Sequence, residues 1–255
     1  MSSFPSVRAF LAALPLIVAA VYAPAAAVAA SSGPAIAAAV ADPHRPAADI
    51  ARDAARKPAE MLAFAQLKPG DAVLEILPGG GYFTRLLSKV VGPTGHVYAA
   101  VPDPSSKFAE PAASMIAADP AYANVSVIVI PGGMAKLPPV DLIWTSQNYH
   151  DMHLSAVHLD VGAVDKAWLG ALKPGGVLLV IDHAALPGAP VTATADALHR
   201  IDPAAALAET QGAGFRLDGQ SDALRNPADP HTAIVFDPSI RGRTDQFAYR
   251  FRKPG

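Results

Sequence analysis

The segment from Val73 to Thr84, VLEILPGGGYFT, constrains the fold of this chain more than any other stretch. A short apolar strand runs into consecutive glycines, and the pattern predicts that a helix begins at Tyr82. Because glycine lacks a Cβ atom, the backbone can turn sharply there and approach a ligand closely. The first turn of the helix presents unpaired N–H groups, which favour polar or anionic ligand atoms. The segment therefore predicts a strand–loop–helix unit with a ligand site. A tight turn without a ligand is the alternative.

Short apolar strands and helices alternate after this segment. The predicted strands are Ala72–Leu77, His96–Val101, Val125–Ile130, Asp141–Thr145 and Gly176–Asp182, and the predicted helices are Tyr82–Val91, Ser105–Ala118, Val161–Ala171 and Pro203–Ala213. This alternation is typical of a parallel sheet covered by helices on both faces. Two late strands, Arg216–Ser221 and Thr232–Asp237, are predicted to pair as a hairpin, with Gln246–Arg252 as the last strand. The expected fold is a single α/β domain with a Rossmann-like, doubly wound, mostly parallel sheet and antiparallel C-terminal edge strands.

Composition excludes several kinds of site. Hydrophobic residues make up 51% of the 255 residues and charged residues 16%, which suits a large packed core. The net charge of −2 offers no basic surface for phosphates, so we expect no nucleic-acid partner. Cysteine is absent, which excludes disulfides and thiolate metal ligands. The chain has eight histidines, but the spacing of His150, His153 and His158 matches no recognised ligand set, and we predict no metal.

The first 30 residues have the pattern of a secretory signal peptide. Arg8 precedes an apolar run, Phe10–Val21, and small residues follow up to Ala30. This order of basic, apolar and small residues predicts cleavage after Ala30 or after Ala25, with an uncleaved anchor as the alternative. We therefore expect a periplasmic or secreted protein with no stable membrane span after cleavage.

Residues 31–57 are interpreted as an N-terminal arm and helix that precede the α/β domain. The stretch Ser31–Pro46 is rich in alanine and proline, and we predict that it is loosely ordered. Asp49 is suited to cap a helix that runs through Ile50–Arg56. The domain itself is expected to occupy residues 58–255.

The segment Val73–Val101 resembles the first βαβ unit of class I S-adenosylmethionine-dependent methyltransferases. Asp141–Trp144 is similar to the fourth strand of that family, and Lys173–Gly176 to the turn before its fifth strand. The mature chain also resembles a branch of predicted exported methyltransferases. The motifs that carry this second resemblance are Arg56–Pro58, Pro78–Thr84, Asn148–Asp151, Leu224–Pro227, Arg241–Asp245 and Phe251–Pro254. The resemblance implies that residues 58–255 form a class I methyltransferase-like domain with S-adenosylmethionine as its cofactor.

The resemblance places this cofactor at the glycine loop and at the ends of neighbouring strands. The implied cofactor-binding residues are Glu75, Pro78, Gly79, Gly80, Gly81, Tyr82, Val101 and Asn148. Three positions depart from the family pattern. Leu77 replaces the first of three spaced glycines. Val101 ends the second strand, where the family carries a carboxylate that accepts hydrogen bonds from the ribose hydroxyls, and Gly132–Gly133 stand where a second acidic residue is common.

The loop Asn148–Asp151 follows the fourth strand at the same edge of the sheet, where the family contacts the methyl donor and the acceptor. Tyr149, His150 and Asp151 are the candidate catalytic residues. The ring of Tyr149 can face a cationic sulfonium, His150 can act as a general base, and Asp151 can orient an imidazole. The alternative is structural, with Asn148 or Asp151 capping the following turn and Tyr149 filling the core.

Two further groups of polar residues are expected near this edge. Asp182 and His183 end the fifth strand, either as a substrate contact or as a structural carboxylate–imidazole pair. Arg52, Arg56 and Lys57 can reach over the pocket to bind a carboxylate, or can form surface ion pairs with nearby aspartates.

The leading hypothesis is an S-adenosylmethionine-dependent methyltransferase that acts on an unidentified small-molecule or envelope acceptor. The alternative is an exported binding or accessory protein that keeps the fold and has lost catalysis, which Val101 and the signal peptide favour. A hydride-transferring dehydrogenase is a weaker hypothesis, because the carboxylate expected for an NAD ribose is also missing. Nothing in the sequence indicates the methyl acceptor or the oligomeric state.

Overall fold

A seven-stranded mixed sheet forms the centre of the computed structural model, which describes Met1 and residues 32–105, 111–130 and 132–255. The predicted signal peptide therefore lies outside the described residues, apart from Met1. Residues Ser31–Gly255 form one compact unit. Within the described ranges, no helix has both the length and the apolar character needed to cross a membrane.

The strands are β1 (Ala72–Ile76), β2 (His96–Val101), β3 (Val125–Val129), β4 (Val140–Ser146), β5 (Leu172–His183), β6 (Arg216–Ser221) and β7 (Gln246–Arg252). Their order across the sheet is β3-β2-β1-β4-β5-β7-β6, in which β7 is antiparallel to β5 and β6 and the other neighbours are parallel. The order reverses between β1 and β4, and doubly wound sheets bind ligands at the carboxyl ends of the strands where this happens. The predicted fold class is confirmed.

Helices cover the sheet and form its N-terminal extension. They are α1 (Gly33–Val40), α2 (Ala47–Ile50), α3 (Asp53–Arg56), α4 (Pro58–Phe64), α5 (Tyr82–Val91), α6 (Ala112–Ala118), α7 (Val161–Ala171), α8 (Val191–Leu198) and α9 (Pro203–Gly212). Short 3-10 turns lie at Pro120–Tyr122, Gly132–Lys136 and His150–His153. The helix predicted at Ser105–Ala118 is present as α6 over its last part, and residues 106–110 lie outside the described ranges.

Side chains alternate between the two faces of the sheet along each strand, and both faces are buried. On the face that we call the α5 face, Val73 and Trp144 pack with Phe83 of α5. On the opposite face, called the α7 face, Leu74 packs with Trp168 of α7. This alternation decides which residues at the strand ends share a surface and which are separated by the sheet.

The predicted loose arm at Ser31–Pro46 is wrong over Gly33–Val40, which form helix α1. Helix α1 packs against α5, and Ile36 and Ala39 are buried in that contact. Alanine has the highest helix propensity, and two apolar residues three positions apart share one helix face. Burial of that face therefore orders a segment whose composition suggested an irregular arm.

The predicted strand at Thr232–Asp237 is also wrong, since β6 pairs with β7 instead. The segment between them is irregular and is held by a buried ion pair, in which Nη1 of Arg200 lies 2.8 Å from Oδ2 of Asp229. Nε of Arg200 donates to the carbonyl of Ala233, and Asp229 also accepts from the backbone N–H of Asp245. These side chains satisfy backbone groups that a strand would have paired, so no hairpin is needed.

Candidate functional site

The glycine loop joins β1 to α5 at the point where the strand order reverses. Three of its residues adopt left-handed backbone conformations, with φ of 48° at Leu77, 55° at Gly79 and 77° at Gly81. A side chain in this conformation costs about 1–2 kcal/mol, which glycine avoids. Leu77 therefore keeps the conformation for which the family pattern uses glycine, and the loop retains its shape despite the substitution.

Gly80 and Gly81 serve different purposes in this loop. Gly81 has a left-handed φ of 77°, and a Cβ atom there would overlap Cδ1 at the end of the Ile116 side chain on α6, so the backbone conformation is what favours glycine. A Cβ atom at Gly80 would meet no heavy atom of the described protein within 4 Å. Gly80 therefore borders open space, where a ligand can approach the backbone.

A cavity lies beside the loop at the carboxyl ends of β1 and β4. Its lining residues are Arg56, Glu75, Ile76, Leu77, Pro78, Tyr82, Phe83, Trp144, Ser146 and Asn148. The structure thus brings together four of the residues predicted to bind the cofactor, which are Glu75, Pro78, Tyr82 and Asn148. Arg56, one of the three basic residues considered for carboxylate binding, lines the same cavity.

Glu75 is the most unusual residue of the cavity, because its carboxylate is buried without adequate partners. Its side chain is 3% exposed, and Oε2 has no hydrogen-bond partner. Burial raises the pKa of Glu75 to about 7, although the hydroxyl of Thr84 and the nearby charges of Arg56 and Arg85 oppose this change. A buried polar atom without a partner normally costs about 1–3 kcal/mol, so this oxygen indicates that a ligand supplies the missing donor.

Arg56 extends from α3 over the aromatic wall of the cavity. Its guanidinium carbon lies 4.6 Å from the ring centroid of Tyr82 and 5.0 Å from that of Phe83, and Nη2 donates to Oε1 of Gln147 at 2.7 Å. Burial lowers the pKa of Arg56 to about 10, and the neighbouring charge of Arg52 adds to this effect. Stacking on two rings holds the cation at the cavity.

The other two basic residues considered with Arg56 do not line the cavity. Arg52 forms the ion pair expected for it, with Nη2 2.7 Å from Oδ1 of Asp49. Lys57 is exposed between α3 and α4, and its φ of 47° is left-handed. The hydroxyl of Tyr82 donates to Asp53 at 2.6 Å, and Arg45 holds the other oxygen of that carboxylate at 2.8 Å.

Asn148 connects the end of β4 to the end of β1. Its Nδ2 donates to the carbonyl oxygens of Ile76 at 2.8 Å and Leu77 at 3.1 Å, and Oδ1 accepts from the hydroxyl of Thr145. These bonds fix the start of the glycine loop. They differ from the capping role considered for Asn148, since the 3-10 turn at His150–His153 has no side-chain cap.

Tyr149 lies away from the cavity, although it was predicted to face a sulfonium there. Its side chain is fully buried on the α7 face, and its hydroxyl donates to Asp165 at 2.9 Å. Glu75 and the cavity lie on the α5 face, so the sheet separates Tyr149 from them. The structure therefore favours the alternative in which Tyr149 fills the core.

His150 is buried and is held by two carboxylates. Its Nδ1 lies 2.8 Å from Oδ1 of Asp182, and its Nε2 lies 3.1 Å from Oδ1 of Asp151. Burial alone lowers the pKa of His150, but these carboxylates outweigh it and raise the pKa to about 10. Asp182 is fully buried. The charge of His150 lowers the pKa of Asp182 below its ordinary value, although burial opposes this effect. The predicted general-base role of His150 stays a prediction.

Two more histidines lie close to His150. The ring centroid of His183 is 5.9 Å away, and its Nδ1 is 2.7 Å from the hydroxyl of Thr244. Burial lowers the pKa of His183 to about 4, so its imidazole is neutral near pH 7. His199 follows α8, and its Nδ1 is 3.3 Å from Nε2 of His150. The sequence did not indicate His199, because neither helix α8 nor its contact with the 3-10 turn at His150–His153 was predicted.

The structure places no carboxylate at the two positions where the family binds the nucleoside. Val101 ends β2, and Asp103 beyond it is exposed and accepts from the backbone and hydroxyl of Ser105. Gly132 and Gly133 begin the 3-10 turn after β3. No carboxylate from these described positions reaches the cavity lining.

Comparisons with known proteins agree with this fold. Residues 51–184 match the family model described as protein-L-isoaspartate(D-aspartate) O-methyltransferase (PCMT). A protein-L-isoaspartate O-methyltransferase of Ignicoccus hospitalis is 34% identical over 124 residues, which cover 48% of this chain and 52% of that protein. The chain therefore spans about half the length of the curated relatives it matches.

Solved structures show the similarity over a larger share of the chain. An Aquifex aeolicus S-adenosylmethionine-dependent methyltransferase is 20% identical, with a TM-score of 0.54 over 79% of this chain and 92% of that chain. Aeropyrum pernix fibrillarin, solved with natively bound S-adenosylmethionine, is 15% identical, with a TM-score of 0.52 over 78% of this chain and 76% of that chain. These similarities establish the class I methyltransferase fold. Since the family model covers more than half of the sequence, this chain belongs to the protein-L-isoaspartate(D-aspartate) O-methyltransferase family.

Proposed function

We propose that this protein binds S-adenosylmethionine beside the glycine loop and catalyses methyl transfer. The unpartnered carboxylate oxygen of Glu75 carries this proposal. A buried carboxylate in a cavity is best satisfied by a cationic ligand group that donates hydrogen bonds, as an ammonium does. The open space beside Gly80 gives such a ligand room to contact the backbone. The residues present therefore fit the amino-acid end of the cofactor.

Three residues would hold the amino-acid end of the cofactor. Glu75 is placed to accept from its ammonium group, and the guanidinium of Arg56 to donate to its carboxylate. Asn148 keeps the loop in position through its bonds to β1. When bound, the cofactor supplies a methyl group on a sulfonium, and transfer depends chiefly on alignment and the exclusion of water.

For the acceptor, we propose a carboxylate of an isoaspartyl residue, as in the name of the family. A carboxylate is already a nucleophile, so its methylation requires no proton removal at the acceptor oxygen. This explains why the site can work without a general base, and why Tyr149 can serve the core instead. The proposal replaces the broader expectation of a small-molecule or envelope acceptor.

Calorimetric titration of the full-length protein with S-adenosylmethionine and S-adenosylhomocysteine tests the cofactor site. We expect both to bind, and we expect Glu75→Gln to weaken binding by about 10- to 100-fold, which corresponds to about 1–3 kcal/mol. Glu60→Gln changes an exposed glutamate on α4 and serves as the matched control. If neither ligand binds at millimolar concentration, the proposed function is wrong.

Methyl transfer is tested with a peptide that contains one isoaspartyl residue and with the same peptide containing aspartate. Labelled methyl esters should form on the isoaspartyl peptide and release methanol in alkali. Cofactor binding without transfer to any carboxyl peptide would favour the second candidate, a binding protein that has lost catalysis. The absence of a carboxylate at Val101 is the observation in favour of this candidate, because it removes a ribose contact.

We further propose that the protein is exported, on the basis of the apolar run Phe10–Val21 and the small residues that follow it. Cell fractionation of the full-length chain, with N-terminal sequencing of the mature protein, tests this. A mature N-terminus at Ser31 is the expected result. Retention of Met1 on a cytoplasmic protein would contradict the proposal.

A further inference from the structure

Three side-chain atoms converge at the carboxyl edge of β4, outside the glycine-loop cavity. Nε2 of His150 lies 3.1 Å from Oδ1 of Asp151 and 3.3 Å from Nδ1 of His199, and the latter two atoms are 3.5 Å apart. Tetrahedral Zn²⁺ binds nitrogen and oxygen at about 2.0–2.1 Å, which places neighbouring ligand atoms about 3.3 Å apart. The three atoms therefore have the spacing of one face of a tetrahedral metal site.

The orientation of His150 is fixed by an outer carboxylate. Nδ1 lies 2.8 Å from Oδ1 of the fully buried Asp182, whose Oδ2 accepts from the backbone N–H of His150 at 2.7 Å. With one ring hydrogen on Nδ1 facing Asp182, a bound ion would replace the proton on Nε2, whose lone pair would then face His199 and Asp151. A carboxylate behind a histidine in this way is the usual outer partner of a metal-binding imidazole.

His199 is held in place by its backbone and by neighbouring rings. It ends α8 with a left-handed φ of 53°, and its N–H donates to the carbonyl of Ala195. Its ring packs edge-on against Phe236, with centroids 4.9 Å apart, and against His150 at 5.3 Å. The second nitrogen ligand is therefore fixed by contacts that do not depend on a bound ion.

Charge and exposure also suit a divalent cation. Asp151 and Asp182 bring two negative charges to one imidazole, and a divalent ion balances both. The side chains of Asp151 and His199 are 32% and 26% exposed, so an ion can enter and keep a fourth position for water or substrate. Two imidazoles and one carboxylate match the ligand preference of Zn²⁺ and its neighbours in the first transition series.

We propose that His150, Asp151 and His199 bind a divalent transition-metal ion, with Zn²⁺ as the reference ion and Asp182 as the outer partner of His150. The site replaces the sequence-based expectation of no metal. That expectation was based on histidines close together in the sequence, and His199 lies 49 residues from His150. The proposal does not depend on methyl transfer.

Equilibrium dialysis of the chelator-treated, full-length protein against Zn²⁺ tests the site. We expect about one ion per chain with a Kd of about 1 μM or tighter. His199→Asn should weaken binding at least about 100-fold, and Asp182→Asn by about 10- to 100-fold. Co²⁺ should give the visible absorption of a tetrahedral complex in the native protein and lose it in His199→Asn.

His158→Asn is the matched control, because His158 is an exposed histidine with a similar φ of 54°, and asparagine tolerates this conformation at both positions. It should bind Zn²⁺ like the native protein. Circular dichroism of each metal-free variant confirms that it is folded. Binding weaker than about 100 μM, or undiminished binding by folded His199→Asn, would overturn the proposal. Neither readout requires S-adenosylmethionine, so failure here leaves the proposed function to its own test.

Discussion

Replacing Glu75 by glutamine removes a buried charge and nearly preserves the shape of the side chain. Burial raises the pKa of Glu75 from an ordinary value of 4.5 to about 7. Between these pH values the folded protein holds a proton that the unfolded chain has released. The neutral carboxyl group therefore contributes its full stability below about pH 4.5, and this contribution is lost as the pH rises through about 7.

The size of the effect follows from the change in pKa. A rise from 4.5 to about 7 corresponds to about 3 kcal/mol of unfolding free energy. Glutamine does not ionise, so the stability of Glu75→Gln relative to the native protein should increase by about 3 kcal/mol between about pH 4.5 and pH 8. Urea unfolding at both pH values, followed by circular dichroism, measures this difference.

Glu60→Gln is again the control, and its stability relative to the native protein should change by less than about 0.5 kcal/mol over the same range. Parallel pH profiles for native protein and Glu75→Gln would refute the reasoning, because they would show that Glu75 has the same protonation in the folded and unfolded states. Together with weaker cofactor binding, a gain in stability at pH 8 would identify Glu75 as a charge retained for function at a cost in stability.

Three further predictions test the loop, the C-terminal segment and the N-terminal helices. Gly81→Ala should lower the free energy of unfolding by about 1–2 kcal/mol, because φ is left-handed and the Ile116 side chain must move away from the added Cβ. Gly80→Ala should change it by less than about 0.5 kcal/mol, and equal thermal shifts would contradict this. Asp229→Asn removes the charge that pairs with buried Arg200 and should cost about 3–5 kcal/mol in urea unfolding, and a cost below about 1 kcal/mol would be inconsistent with a buried pair. Lys57→Gly should raise stability by up to about 1 kcal/mol by relieving its left-handed backbone, and Lys57→Ala should not; calorimetric melting distinguishes them.

The fold could be predicted from sequence because its signals are local. Strands β1 to β5 are short apolar runs, and the glycines at residues 79–81 mark a sharp turn between strand and helix. The failures have causes that lie in tertiary contacts. Alanine-rich α1 was interpreted as a loose arm because its helix is stabilised by packing on α5, which the sequence does not display. The strand predicted at Thr232–Asp237 has the right residues but no partner, since Arg200 and Asp229 hold that segment instead.

In the candidate site, too, some features could be predicted from the sequence and others depend on tertiary contacts. The family resemblance implied Glu75, Pro78, Tyr82 and Asn148 as cofactor-binding residues, and the structure groups them at one cavity. The sequence did not identify which face of the sheet each loop residue occupies. That distinction separates Tyr149 from the cavity, because its side chain packs in the core of the α7 face and the aromatic wall of the cavity belongs to the α5 face.

The sequence by itself determined the alternating α/β architecture and the position of the glycine loop, since both depend on residue patterns within a few positions of each other. Only the tertiary structure left one carboxylate oxygen of Glu75 without a partner, placed Arg56 on the rings of Tyr82 and Phe83, and brought His199 to His150. These features join residues far apart in the chain. Their burial and contacts come from packing of the whole unit, and local sequence patterns do not encode them.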